Sequence, residues 1–166
     1  MPHPPFLHMM PNDVPLFASF LLSEQGRRFE HWEFDRHVGP GEECPPWLSP
    51  SMRTCMSILT KLRIDAIGYL AGKPWIFEVK PSVNLGAFGQ VQGYEHFFVR
   101  EVGVLPRKAI IAEEASRNLI VLAKQHDIEL FLVQPATLAM IDAACRQLGL
   151  PPCSHLWAED LISPPE

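Results

Sequence analysis

Residues 14–22 (VPLFASFLL) are apolar on nearly every side of a helical wheel. That pattern predicts a buried first helix, with Gly26 as the stop that follows it. Residues 29–34 (FEHWEF) alternate apolar and polar side chains as a strand does, with Trp32 breaking the strict period. Residues 39–50 are rich in Gly and Pro and read as a loop. Two runs of β-formers follow, LRIDAIGYL at 62–70 and PWIFEVK at 74–80. They are separated by Ala71-Gly72-Lys73, so the pattern predicts a β-hairpin. Residues 82–89, with two glycines, read as a loop, and residues 90–99 as a helix.

The remainder alternates. KAIIA at 108–112 reads as a short buried strand. Ser116 is placed as the cap of a helix running to about His126, with Leu119, Ile120, Leu122 and Ala123 on its inner side. IELFLV at 128–133 reads as a strand, and residues 136–148 as a last helix stopped by Gly149 and Pro151. The order is helix, strand, β-hairpin, helix, strand, helix, strand, helix. The late strand–helix–strand run requires a crossover, so the expected fold class is α/β with a mixed sheet, parallel in part.

Composition sharpens this picture in three ways. The 166 residues suit one domain, and 47% hydrophobic with 20% charged content excludes a disordered chain. The 17 prolines cluster toward the two ends and in the 40–50 loop. We therefore expect an irregular arm at 1–12, a single domain at 13–162 and a tail at 163–166. No apolar run reaches the ~18 residues of a membrane span, and no signal peptide is visible, so no membrane association and a cytoplasmic location are expected. Cys44, Cys55, Cys145 and Cys153 form no C-x-x-C pair and are read as reduced thiols.

Net charge is −5, which argues against a nucleic-acid partner when taken alone. Its distribution changes that argument. Residues 27–108 hold eleven Lys/Arg against nine Asp/Glu, whereas residues 109–166 hold three against eight. The acidity thus lies in the last third, away from the hairpin where candidate chemistry is found. A site that gathers carboxylates to hold a cation also begins with a negative count.

Charge interrupts the two hairpin strands at three places. Asp65 breaks one apolar run. Glu78 and Lys80 break the other at i and i+2, which puts them on one face. Buried charge is costly unless it is paired or coordinates a metal. Two carboxylates converging across a hairpin can hold a hard cation, which can acidify water and offset charge on a phosphate. An adjacent lysine can stabilise the charge that develops. The competing reading, a solvated edge face with Asp65 near a turn, is opposed by the apolar context of I-F-E-V-K.

The pieces R-I-D-A-I-G (63–68), W-I-F-E-V-K-P (75–81) and G-Q-V-Q-G-Y (89–94) resemble the PD-(D/E)XK nuclease superfamily. The spacing of Gln90 and Tyr94 is similar to the Q-x-x-x-Y motif of its RecB-like exonuclease branch. The resemblance covers 63–94, about a fifth of the chain. It implies a restriction-endonuclease-like mixed sheet flanked by helices, and hydrolysis of phosphodiester bonds in DNA with Mg²⁺ or Mn²⁺ as cofactor. It implies that Asp65, Glu78 and the carbonyl of Val79 ligate the metal and that Lys80 works on the water. Gln90 and Tyr94, four apart on one helix face, brace the site and touch the DNA backbone. The family also has an acid or a histidine on or just after the first helix. Glu24 is the candidate, with Glu30 and His31 as alternatives. An iron–sulfur cluster is not expected, because three close C-terminal cysteines are absent.

Arg27, Arg28, Arg36, Arg53, Lys61 and Arg63 are candidates for a phosphate-binding face, with ordinary solvated surface as the alternative. Trp32, Trp47 and Trp75 are assigned to core packing, with stacking on bases as the alternative. The expected protein is a Mg²⁺-dependent deoxyribonuclease of DNA repair, recombination, phage or mobile-element processing. The alternatives are a non-catalytic DNA-binding or assembly module of the same fold, or the cleavage subunit of a transposase-like complex. The modest basic charge leaves room for a homo-oligomer or a partner protein that supplies DNA affinity.

Overall fold

The strand β3 (Lys73–Val79) is buried on both faces from its second residue on, and the other elements are arranged around it. A computed structural model describes residues 9–156. The other strands are β1 (His31–Val38), β2 (Leu62–Leu70), β4 (Arg107–Ala112) and β5 (Ile128–Leu132). They form one five-stranded sheet in the order β1-β2-β3-β4-β5. The β1–β2 and β2–β3 pairs are antiparallel, and β3–β4 and β4–β5 are parallel. The α/β class and the mixed sheet expected from the sequence are therefore what the chain adopts.

Five helices flank the sheet: α1 (Val14–Leu22), α2 (Pro50–Leu59), α3 (Leu85–Val102), α4 (Arg117–Gln125) and α5 (Leu138–Gln147). Two apolar layers result. On one face α1 and α5 cover Ala66, Phe77, Val79, Ala109 and Ile111. On the other, α3 and α4 cover Ile67, Ile76, Ile110, Ala112 and Ile128. The first layer is aromatic. Phe20 of α1 meets Phe77 and Phe131 at centroid distances of 5.3 and 4.7 Å, within the range of favourable ring pairs. Trp32 and Trp75 join this cluster, as expected. Trp47 does not: it is 81% exposed, which corrects its assignment to the core.

The hairpin turn has a physical cause in its sequence. Ala71 and Gly72 both sit at positive φ, 51° and 70°. That is the backbone of a two-residue turn whose twist matches antiparallel strands. The period break at Trp32 also has a cause. Phe29 lies before β1, in extended backbone closing a 3-10 turn at Gly26–Arg28, so only Trp32 and Phe34 share a strand face. Gly26 opens that turn rather than ending α1, whose last residue is capped by Ser23.

Two helix boundaries differ from the sequence reading. α2 has no counterpart in it, because the expected loop ends at Pro50 and the next expected element begins at Leu62; Ser49 caps the helix, accepting a hydrogen bond from the Met52 amide, and Pro50 opens it. α3 begins at Leu85, not Gln90, because Asn84 caps the helix by accepting from the Ala87 amide at 3.0 Å. Ser116 occupies the cap position of α4 but its side chain makes no cap hydrogen bond. Met9, placed in the arm, is buried in the aromatic layer. The arm at 1–8 and everything from 157 on, including the tail at 163–166, lie outside the described residues. Cys145 and Cys153 are paired with each other, so the expectation of reduced thiols holds only for Cys44 and Cys55. Among the described residues no helix is long and apolar enough to cross a membrane.

Candidate active site

The hairpin register decides which side chains can meet. β2 and β3 pair from Leu70↔Lys73 through Ala66↔Phe77. One further step along that register sets Asp65 across from Glu78. The ladder is interrupted there by a side chain: the Val79 amide donates to Oδ2 of Asp65 at 2.9 Å. The carboxylate takes a donor that a continuing ladder would give to a backbone carbonyl. The two strands part at the end of β3, where the parallel strands also present their C-terminal ends.

Glu78 is 1% exposed, on the α3 side of the sheet. Tyr94 of α3 donates its hydroxyl to Oε2 at 3.0 Å, and Gln90 donates to the Tyr94 hydroxyl oxygen at 3.3 Å. The helix thus holds one Glu78 oxygen through a two-residue relay at i, i+4 spacing. The other oxygen, Oε1, lies 3.0 Å from the Lys80 ammonium. Oε1 is buried, and this ion pair with Lys80 is what offsets its charge there.

A third carboxylate lies within electrostatic range of Asp65 and Lys80. Asp13 is the residue before α1, and it is buried. A residue there ordinarily caps the helix, yet the Asp13 side chain makes no cap hydrogen bond. Its electrostatic neighbours are Lys80 and Asp65. Burial, opposed by Lys80 and reinforced by Asp65, raises its pKa to about 6. Burial and then Asp65 raise Glu78 to about 7, against the pull of Lys80 and Tyr94. Burial works to lower Lys80, but Glu78, Asp13 and Asp65 together hold it above its ordinary value. Tyr94 is raised by burial and by Glu78, so it remains a hydroxyl donor.

Sequence reasoning missed Asp13. The signal was present as Asp followed by Val-Pro at a helix start, but that signature reads first as capping. Glu24 is not brought to the site. It lies beyond the other end of α1, exposed, about 15 Å along the helix axis from Asp13. Glu30 and His31 line a separate cleft beside β1. The basic residues do not form one face. Arg36 pairs with Glu33 and Arg63 with Asp35, while Arg27 and Arg28 sit at the opposite end of β1 from Lys61.

Among the described residues no three His, Cys, Asp or Glu side chains are gathered tightly enough to cage a metal by themselves. Asp65 and Glu78 number two, and a small hard cation that keeps much of its water takes one or two carboxylates. The Glu78 carboxylate, opposite Asp65 and beside a backbone that opens at Val79, offers oxygen donors of the kind such an ion takes.

Without metal the raised pKa values set a direction for stability. A carboxyl whose folded pKa exceeds its unfolded value stabilises the fold below the unfolded value, and that contribution is lost as pH rises through the folded one. For Glu78 the window runs from 4.5 to about 7, and for Asp13 from 3.8 to about 6. In chelator the melting temperature should therefore decline across pH 4.5 to 7, and Glu78→Gln should flatten the decline. Melts in which wild type and Glu78→Gln share one pH profile would remove Glu78 from this account.

The sequence matches no protein-family model and no curated protein. Its fold is similar to a repair endonuclease from Pyrococcus abyssi, with a TM-score of 0.41 and 18% identity. The similarity covers 62% of this chain and 40% of the endonuclease chain, so this chain spans well under half of that protein.

Proposed function

We propose that this protein is a metal-dependent phosphodiester hydrolase that cuts DNA. The observation that carries the reading is Glu78. Its carboxylate is buried, held at one oxygen by Tyr94, paired at the other with Lys80 at 3.0 Å, and close enough to Asp65 for the two charges to oppose each other. Asp65, Glu78 and the Val79 carbonyl would hold Mg²⁺ or Mn²⁺, and Asp13 takes the place among the acids that Glu24 was expected to fill. When bound, such a cation acidifies its water and offsets negative charge on a phosphodiester.

The chain supplies the rest. Tyr94, braced by Gln90, fixes the Glu78 carboxylate so that Oε1 rather than Oε2 is turned to the ligand. Asp65 is oriented by the Val79 amide. Lys80, 29% exposed at its side chain, sits at the boundary between buried carboxylates and solvent, where a phosphate can approach its ammonium. Support for DNA as the polymer comes from the sequence resemblance to PD-(D/E)XK nucleases, and with it a place in DNA repair, recombination, phage or mobile-element processing.

The test is incubation of the protein with labelled single- and double-stranded DNA, in Mg²⁺, in Mn²⁺ and in chelator. Cleavage that needs a divalent ion and disappears in Asp13→Asn is the expected result. DNA binding without cleavage of any DNA or RNA form, in either metal, would replace the enzyme by the non-catalytic module.

A further inference from the structure

α2 faces the wrong way for a monomer. None of its ten residues is buried. Its polar side is turned to the protein: Ser57 donates to the Pro40 carbonyl at 3.3 Å, and Thr60 accepts from the Glu42 amide at 2.7 Å. The Arg53 carbonyl accepts from the Cys44 thiol. Met52, Cys55, Met56 and Leu59, at i, i+3, i+4 and i+7, make one apolar stripe on the opposite side. All four are exposed, Leu59 to 72%. A stripe at this spacing is ordinarily the face a helix buries.

We infer that this stripe is the seam of a homodimer, with α2 of one protomer packed antiparallel on α2 of a second copy about a twofold axis. Three features select a second copy over other occupants. The first is composition: the stripe carries methionine, leucine and cysteine and no charge, the character of an interface core rather than of a phosphate-binding surface. The second is charge on its flank. Arg53 lies near the first turn, and Glu42 is held beside Thr60 at the last. Both fall on the same side of the stripe, about a quarter turn from its centre. Antiparallel pairing about a twofold sets Arg53 of each copy next to Glu42 of the other, twice, as an isologous contact requires.

The third feature is extent: the exposed apolar character continues past the helix ends, in Trp47 before it at 81% and Leu62 after it at 39%. Leu62 also packs on α3, where a Cβ at Gly93 would lie 3.2 Å from it, one turn beyond Gln90. The seam therefore abuts the helix that holds Glu78, and a dimer carries two such sites. The inference is independent of the proposed reaction.

The stripe is centred between Cys55 and Met56, so the twofold passes close to Cys55, an exposed free thiol. Mild oxidation of Cys44→Ser protein should produce a Cys55–Cys55 crosslinked dimer that Cys55→Ser abolishes. Native mass spectrometry and light scattering over a concentration series should give twice the 18.8 kDa chain mass. Leu59→Glu should return the mass to that of one chain, with a cooperative melt whose midpoint no longer depends on protein concentration. Wild type that stays at one chain mass throughout overturns the inference. So does a dimer that neither crosslinks through Cys55 nor dissociates in Leu59→Glu, which places the interface elsewhere. A monomer whose DNA affinity collapses in Leu59→Glu gives the stripe to nucleic acid instead.

Discussion

Lys80→Ala should lower DNA cleavage by roughly 10²–10³ under saturating metal, the usual loss for one preorganised electrostatic partner. Lys80 holds its charge between three carboxylates and the solvent edge, 3.0 Å from Glu78, and contributes little to the core. Its loss should leave the fold intact. DNA affinity should fall only modestly, because one phosphate contact is a small part of the electrostatic term. The carboxylates respond as well. With their cation gone, Glu78 and Asp13 lose the neighbour that lowers both, so each holds its proton to higher pH. Metal binding in the variant should therefore require a higher pH than in wild type. Single-turnover cleavage and metal titration against pH separate the two effects. Equal cleavage by wild type and Lys80→Ala would reduce Lys80 to a counter-ion of Glu78.

Phe20→Ala should cost about 3–5 kcal/mol, the range for a large buried side chain that leaves a cavity. Phe20 is 1% exposed and meets the rings of Phe29, Trp32, Phe77 and Phe131. Such a loss is a large fraction of the ~5–15 kcal/mol that holds a domain of this size together. It should also reach the site, since the same α1 carries Asp13 at its entrance. Urea unfolding measures the first effect, with Val121→Ala, half exposed on α4, as a control expected within ~0.5 kcal/mol. A Phe20→Ala protein as stable as that control would mean that the aromatic layer is loosely packed.

The hairpin and its charges were legible because period-2 alternation and buried charge are local signals. Leu62–Leu70, the Ala71-Gly72 turn and Lys73–Val79 lie where the pattern puts them, and Glu78 and Lys80 meet as i and i+2 on one face. Gln90 and Tyr94 meet for the same reason at helical spacing. What could not be read depends on contacts distant in sequence. Asp13 stands 52 positions before Asp65, and its spacing from the hairpin carries no period. The helix at Pro50–Leu59 was hidden because Gly39, Pro40, Gly41, Pro45 and Pro46 extend a loop signal up to its first residue, while its apolar stripe lacks a buried partner among the described residues. The start of α3 was misplaced because Gly86 and Gly89 weigh against a helix, whereas the Asn84 cap and burial of Ala87 and Phe88 outweigh them.

The strand order, in which spatial and chain sequence coincide, has a consequence for the protein while it is being made. Each strand emerging from the ribosome joins an outer edge of the sheet already built, and none must be inserted between two earlier ones. Glu78, Lys80 and Tyr94 can thus assemble once α3 has appeared. Asp13 gains its last supports later. Its helix, already laid on Trp32 and Phe77 through Phe20, also rests on α5, through the bond from Gln147 to the Leu21 carbonyl, and is tied at its start by the Ala136 amide to the Pro15 carbonyl. At ~5–20 residues per second, those partners follow α3 by a few seconds. The nascent chain therefore carries an acidic centre whose Asp13 side is braced on the sheet alone until α5 docks.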